Sequence, residues 1–384
     1  MKDLKTRIGA LTVFREFLCD EVIASLYNLL DKKSDVCAYS DFVSKLYNAN
    51  GGDLSQYVRS ICENSSNVYV RMIGKGESVP GYIEKSVEFE LDTLQMISDL
   101  SFYNLTDCTW ASQFKSGGVD IRKIYLDRAR NIGRYGFGIY AKYGMFYLDD
   151  SGEIIPVKNP DKTRLSQLVD YEYQRGIVID NTKALLCGKP AANILLTGDA
   201  GTGKSATVKA VCNELFGDGL RIIEIRKDQL HIIPQILDEL AENPLKFVLF
   251  IDDLSFLKDD DNFNALKAVL EGSVSAKSRN VVIYATSNRR HIIKEKFSDR
   301  DGDEVHINDT LQETVSLSER FGIHISFDKP DKKTFLHIVR SLASQSGLKI
   351  DDDELELKAE RFALQRGGRS ARLARQFVDG LLSE

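Results

Sequence analysis

The residues best suited to chemistry form one run, Gly198-Asp199-Ala200-Gly201-Thr202-Gly203-Lys204-Ser205, spaced as G-x-x-x-x-G-K-S. A polyphosphate needs several donors converging on it. A glycine-rich turn lets consecutive backbone N–H groups point inward, and the helix read from Ala206 to Leu215 adds the partial positive charge of its amino terminus. In this pattern Lys204 reaches the β and γ phosphates of a nucleotide and the Ser205 hydroxyl ligates Mg²⁺. The apolar strand Phe247 to Ile251 ends in Asp252-Asp253. Asp252 is placed to hold a water on the nucleotide's Mg²⁺, and Asp253 to polarise the water that attacks the γ phosphate. A strand ending in a solvated Asp-Asp turn is common by itself; the preceding phosphate loop gives the pair its weight.

Three further positions complete the set. The strand Val281 to Tyr284 runs into Ala285-Thr286-Ser287-Asn288, where a polar side chain can orient water beside the γ phosphate; Asn288 is the first choice and Thr286 the alternative. Arg320 in Ser316-Leu317-Ser318-Glu319-Arg320-Phe321 suits an arginine that projects into a neighbouring subunit's nucleotide, against the plainer reading of a pair with Glu319. In Gly367-Gly368-Arg369-Ser370-Ala371-Arg372, Arg372 is set to bridge a lid and the phosphates, with Arg369 second and Arg375 turned to solvent.

The elements that must position these residues are short apolar runs alternating with helical stretches. Ile194 to Thr197, Arg221 to Ile225, Phe247 to Asp252, Val281 to Ser287 and Gly322 to Phe327 read as strands, which predicts an open parallel sheet covered on both faces with ligands at the strand carboxyl ends. From Asp331 onward only helices follow, over 333–344, 352–365 and 370–382. Residues 1 to about 115 read as helical: apolar residues recur at three- and four-residue steps through Leu4 to Leu30, Ser40-Asp41 suggests a cap, Asn50-Gly51-Gly52 a stop, and Pro80-Gly81 a break before a helix over 82–100. Ile121 to Tyr143 interleaves arginines with tyrosines, a pattern that can serve single-stranded nucleic acid but is more often a charged helix face. Met145 to Val157 reads as a β-hairpin, and Asn159-Pro160-Asp161 is taken as the domain boundary.

Composition sets the limits. A chain of 384 residues with 43% hydrophobic and 28% charged residues is a multi-domain globular protein, and no apolar run is long enough to cross a bilayer, so a cytoplasmic location is expected. The six cysteines are scattered singly and no ligand spacing suggests a structural metal site. A net charge of −6 argues against whole-surface attraction to nucleic acid.

The order of phosphate loop, Asp-Asp strand, polar strand end, Leu-Ser-Glu-Arg-Phe and G-R-S-x-R helix resembles the AAA+ ATPases over residues 163 to 384. Ile251-Asp252-Asp253-Leu254-Ser255-Phe256, Tyr284-Ala285-Thr286-Ser287-Asn288-Arg289-Arg290-His291, and Gly368-Arg369-Ser370 with Ala374-Arg375-Gln376-Phe377 are similar to a bacterial AAA+ family of unknown function. The resemblance implies an α/β P-loop NTPase with a parallel sheet, an αβα core and a C-terminal helical lid, beside a mainly helical N-terminal domain. The boundaries expected are 1–158 with the hairpin at its end, 159–329 for the core and 330–384 for the lid. It further implies ATP and Mg²⁺ as ligands, held by Gly198 through Ala206, with Ser205 and Asp252 on the metal; Arg320 matches the arginine finger, Asn288 sensor 1 and Arg372 sensor 2. Leu168-Val169-Asp170-Tyr171 matches the segment that packs on adenine, so Val169 and Asp170 are expected at the base, although a glycine is commoner than Asp170. Homo-oligomeric assembly is implied as well.

Relatives that hydrolyse ATP mostly carry Asp-Glu where this chain has Asp252-Asp253. A displacement of about 1 Å can cost roughly 100-fold in rate, so slow or partner-dependent turnover is expected. Lys227-Asp228-Gln229-Leu230-His231 lacks the aromatic residue of threading translocases, which favours conformational switching over threading. The expected function is an ATP hydrolase that couples nucleotide state to the remodelling or repositioning of an unidentified macromolecular partner, with a protein partner expected at the N-terminal domain. The alternatives are a nucleotide-gated binding module with little turnover, or a DNA-associated ATPase like the helicase loaders, which the acidity does not favour. The charged segment 294–314 reads as a solvated loop.

Overall fold

The computed structural model describes residues 2–32, 35–254, 261–271, 279–288 and 319–383. It divides into two units, Met1–Lys142 and Tyr143–Glu384. Among the described residues no helix is long and apolar enough to cross a membrane.

In the first unit, helices begin where short polar side chains take up free N–H groups. Asp20 accepts from Val22 and Ile23 at 3.1 and 2.9 Å ahead of Glu21–Leu29. Asp35 accepts from Cys37 and Ala38 ahead of Val36–Asn50, so the predicted cap at Ser40-Asp41 lies inside this helix instead. The predicted stop holds: Gly51, at φ +77°, takes the left-handed conformation that closes it. The long helix Gly81–Ser98 buries Val87, Leu91, Leu94 and Ile97 in a core shared with Phe14 and Phe42. Its Glu90 is 1% exposed. One carboxylate oxygen accepts from Thr12 N, Thr12 Oγ1 and Val13 N at 2.9, 2.6 and 3.1 Å, and the other from Phe14 N at 2.9 Å, so a single side chain satisfies the turn it faces.

The basic and aromatic stretch after Ile121 is engaged within this unit. Tyr125 is buried, with its hydroxyl on Asn67; Arg122 pairs with Asp92, and Arg128 lies 4.7 Å over the Tyr135 ring. These groups serve the unit's own packing, the charged-helix reading of the pattern.

The second unit is built on a seven-stranded sheet in the order β2-β1-β4-β5-β6-β3-β7. Its strands are β1 Met145–Leu148, β2 Ile154–Pro156, β3 Ile194–Gly198, β4 Leu220–Glu224, β5 Lys246–Ile251, β6 Val281–Ser287 and β7 Ile323–Phe327. All neighbours run parallel except the β1–β2 pair. The fold is that of an α/β P-loop NTPase with helical domains, as expected.

The hairpin requires a correction. It was assigned to the end of the N-terminal domain, but β1 pairs in parallel with β4 and extends the second unit's sheet. Met145, Phe146 and Leu148 are buried there. A hairpin satisfies only its inner edge; the parallel register with β4 takes up the outer edge of β1, which moves the boundary back to Lys142. The last three helices, Lys332–Gln345, Asp352–Gln365 and Ala371–Ser383, share an apolar cluster of their own around Phe335, Val339, Leu355, Ala359 and Phe377, with Val169 packed against it.

Candidate nucleotide site

The loop leaves β3 through Gly198 at φ +131°, where an added Cβ would lie 2.1 Å from the Phe327 carbonyl oxygen on β7. No other residue fits this crossing. Gly201 and Gly203 follow at φ +79° and +100°, and the helix Lys204–Leu215 begins directly after them. Lys204 is 5% exposed, and burial lowers its pKa below the ordinary lysine value. Its ammonium donates to Gly198 O at 2.9 Å, Asp199 O at 2.7 Å and Asn288 Oδ1 at 3.0 Å. All of its donors therefore have acceptors.

Asp252 and Asp253 stand at the carboxyl end of β5. Asp252 Oδ1 accepts from Ser205 Oγ and Thr286 Oγ1, both at 2.6 Å. Thr286 Oγ1 in turn accepts from the Asp253 N–H at 3.0 Å. Thr286, the alternative to Asn288 in the sequence, thus orients the two carboxylates from β6. Asn288 reaches both sides of the loop: its Nδ2 donates to Asp253 Oδ1 at 2.7 Å while its Oδ1 holds Lys204. The backbone of Asp253 is left-handed, φ +53°. The arrangement brings Lys204, Ser205, Asp252, Asp253 and Asn288 into one hydrogen-bonded network, with Ser205 and Asp252 offering hard oxygen donors of the kind Mg²⁺ takes.

This network faces a cavity of about 730 Å³. Leu168, Val169, Tyr171, Ile338 and Leu342 line the same cavity and give it an apolar side. Asp170 and Tyr171 are consecutive left-handed residues at φ +61° and +63°. Glycine would take such angles without strain, whereas Asp170 and Tyr171 carry side chains there. One carboxylate oxygen of Asp170 is buried without a hydrogen bond, and burial raises its pKa above the usual range. The segment is braced by Arg175, which donates to Leu168 O at 2.5 Å and Leu165 O at 3.3 Å and pairs with Glu172 at 2.8 Å. Sequence reasoning missed Arg175; the available signal was a glutamate three residues earlier on a helix entering from this segment.

The arginines are distributed unequally. The Arg372 N–H donates to Gly201 O at 3.0 Å and its side chain lines the cavity. Arg369, the second choice, makes a two-pronged pair with Glu360 at 2.9 and 2.8 Å and is a brace within the terminal helices. Arg375 is exposed, as expected, and it borders the cavity as well. Arg320 pairs with Glu271 and not, among the described contacts, with Glu319; its Nε donates at 2.8 Å. It precedes the amino end of β7, whereas the phosphate loop follows the carboxyl end of the adjacent parallel strand β3. Ser255, Phe256, Arg289 to His291, Ser316 to Ser318 and the charged segment 294–314 lie outside the described residues.

Residues 141–384 match the model of a family described as "Protein of unknown function (DUF815)". No curated protein matches the chain in sequence. Among solved structures, the Thermotoga maritima RuvB Holliday junction branch migration motor is similar at 17% identity over 58% of this chain and 64% of its own, with a TM-score of 0.39. A single-substitution variant of that motor gives 17% identity, 58% and 65% coverage and a TM-score of 0.40. The chain therefore spans somewhat under two thirds of the length of these structures.

Proposed function

The chain belongs to the DUF815 family, whose description assigns no reaction, and we propose from the site itself that it is an AAA+ ATPase whose nucleotide state repositions a protein partner. The observation that carries this reading is the network joining Lys204 to Asn288, Asn288 to Asp253, and Ser205 to Asp252 around a glycine-rich loop. Lys204 binds the β and γ phosphates together with the loop N–H groups, and Val169 and Asp170 border the base. Ser205 and Asp252 would hold Mg²⁺, which supplies charge neutralisation at the phosphates. Asp253 accepts the proton of the attacking water, and Asn288 orients that water or the γ phosphate.

Asn288 engages Lys204 and Asp253 together, so a phosphate arriving at Lys204 competes with Asn288 Oδ1 for the ammonium and loosens the side chain that also holds Asp253. Arg372 enters from the lid, whose first helical turn is tied to Gly201. Arg320 acts on a neighbouring copy, because the length of β7 separates it from its own chain's phosphate loop: five residues at about 3.3 Å each. The working protein is accordingly a homo-oligomer, and the unit 1–142 is the part that meets the partner.

A second reading, a nucleotide-gated switch that turns over rarely, is favoured by the short Asp253 side chain and its bond to Asn288. Steady-state ATP turnover measured against protein concentration, with Lys204→Ala as the blank, separates the two. Turnover per subunit that rises with concentration and vanishes in Arg320→Ala is the result expected of an assembled ATPase. Turnover at the level of the blank in a protein that binds ATP tightly selects the switch, and absence of ATP binding ends both readings.

A further inference from the structure

We infer that Arg375 is a second phosphate-binding residue of the lid, acting beside Arg372 on the polyphosphate of the bound nucleotide; this rests on the nucleotide-binding reading above. The two arginines are three residues apart on the helix Ala371–Ser383, a spacing that sets side chains on one face. Both residues border the cavity that holds the phosphate loop, and both are exposed. Neither guanidinium makes a hydrogen bond or ion pair among the described residues, whereas two other arginines near the cavity do. Arg369 is taken up by Glu360, and Arg175 by Leu165, Leu168 and Glu172.

The start of the helix is fixed at the phosphate end of the cavity. The Arg372 N–H donates to Gly201 O at 3.0 Å, and Ser370 packs against the same glycine. Arg375 stands about 4.5 Å of helix rise beyond that anchor, within the span of a long side chain. The Lys204 ammonium already has three acceptors, and the carboxylates of Asp252 and Asp253 lie on the loop side. The positive charge still open to a ligand is therefore on the lid, as two guanidinium forks that can take separate phosphate oxygens. A nucleoside triphosphate carries one more phosphoryl group and more negative charge than a diphosphate, so it offers a separate phosphate to each guanidinium. The lid then closes more tightly on ATP than on ADP.

Calorimetric titration of the full-length protein with MgATP and MgADP tests this, comparing wild type, Arg375→Ala, Arg375→Lys and Lys204→Ala. Arg375→Ala is expected to weaken ATP by about tenfold to a hundredfold, the scale of one lost charge-assisted hydrogen bond. ADP should weaken less, and Arg375→Lys should fall between alanine and wild type for ATP. ATP affinity unchanged in both Arg375 variants, or equal losses for ATP and ADP, overturns the inference. Thermal melts matching wild type exclude misfolding for at least one of the two variants. A wild type that binds neither nucleotide and behaves as Lys204→Ala does refutes the nucleotide reading, and this inference with it.

Discussion

Gly201→Ala probes the contact between loop and lid most directly. Gly201 sits at φ +79°, and an added Cβ would lie 3.0 Å from the Arg372 Cβ and 3.2 Å from Ser370 Oγ. A left-handed alanine costs roughly 1–2 kcal/mol wherever it occurs. The close approaches add to this, since carbon atoms pack best at about 3.5–4.0 Å. Relief comes from the lid helix moving back, which weakens the hydrogen bond from Arg372 N–H to Gly201 O, a bond worth about 1 kcal/mol. Gly203→Ala is the control: Gly203 is also left-handed, φ +100°, but nothing lies within 4 Å of its added Cβ. The difference between the two variants isolates the lid contact at about 1–2 kcal/mol, a factor of roughly 5 to 30 in Kd for MgATP. Titration of both variants measures it, and hydrogen exchange over 371–383 should show faster opening only in Gly201→Ala. Equal affinities and equal exchange in the two would refute the claim that lid docking on Gly201 contributes to binding.

Three further outcomes are expected. Glu90→Gln replaces one acceptor oxygen by a donor that faces an N–H group, leaving a buried polar group unsatisfied at a cost of roughly 2–3 kcal/mol; urea unfolding followed at Trp110, the chain's single tryptophan, should show a lower midpoint, and a shift below about 0.5 kcal/mol would contradict it. Asp253→Asn should leave MgATP binding within a few-fold of wild type and lower turnover by about 100-fold or more; undiminished turnover removes Asp253 from the mechanism. The hydrogen bonds from Arg369 hold the Glu360 carboxyl below the usual range, so the folded state binds fewer protons there than the unfolded chain. This contribution is present above the ordinary glutamate pKa of about 4.3 and is lost as pH falls through the lower folded value. Glu360→Gln should be less stable than wild type at neutral pH, with the gap closing in acid; a gap independent of pH counts against the pair.

The core of the second unit was legible because its parts are local. The loop, the apolar strand before it and the carboxylates after β5 each depend on neighbours in sequence, and the five parallel strands stand where alternation put them. The β1–β2 hairpin was placed in the wrong unit because its apolar pattern shows that Met145, Phe146 and Leu148 need cover but not which strand provides it. Arg175 was missed for a related reason. A lone arginine on a helix reads as solvated until tertiary structure shows whether carbonyls, a carboxylate or a cavity receive it. Arg221 is the extreme case: at the expected start of a strand, it is 1% exposed, donating to Phe216 O and Leu220 O with its guanidinium 4.1 Å over the Phe216 ring. In the first unit the cap is Asp35, five residues before the expected Ser40, and its carboxylate accepts from the N–H groups of Cys37 and Ala38.

The left-handed backbone at Asp253 also limits which residues that position tolerates. Among residues with a side chain, aspartate and asparagine enter this region most readily, and a longer acid gains nothing from the local backbone to offset its strain. Asp253→Glu is therefore uphill: glutamate would extend the reach of the carboxylate while costing roughly 1–2 kcal/mol in the turn. Asparagine fits the same turn without charge, so a variant with no catalytic acid is accommodated better than one with a longer acid. A library randomised at position 253 and selected only for folding should keep aspartate, asparagine and glycine together. Selection for turnover alone would separate aspartate from the other two.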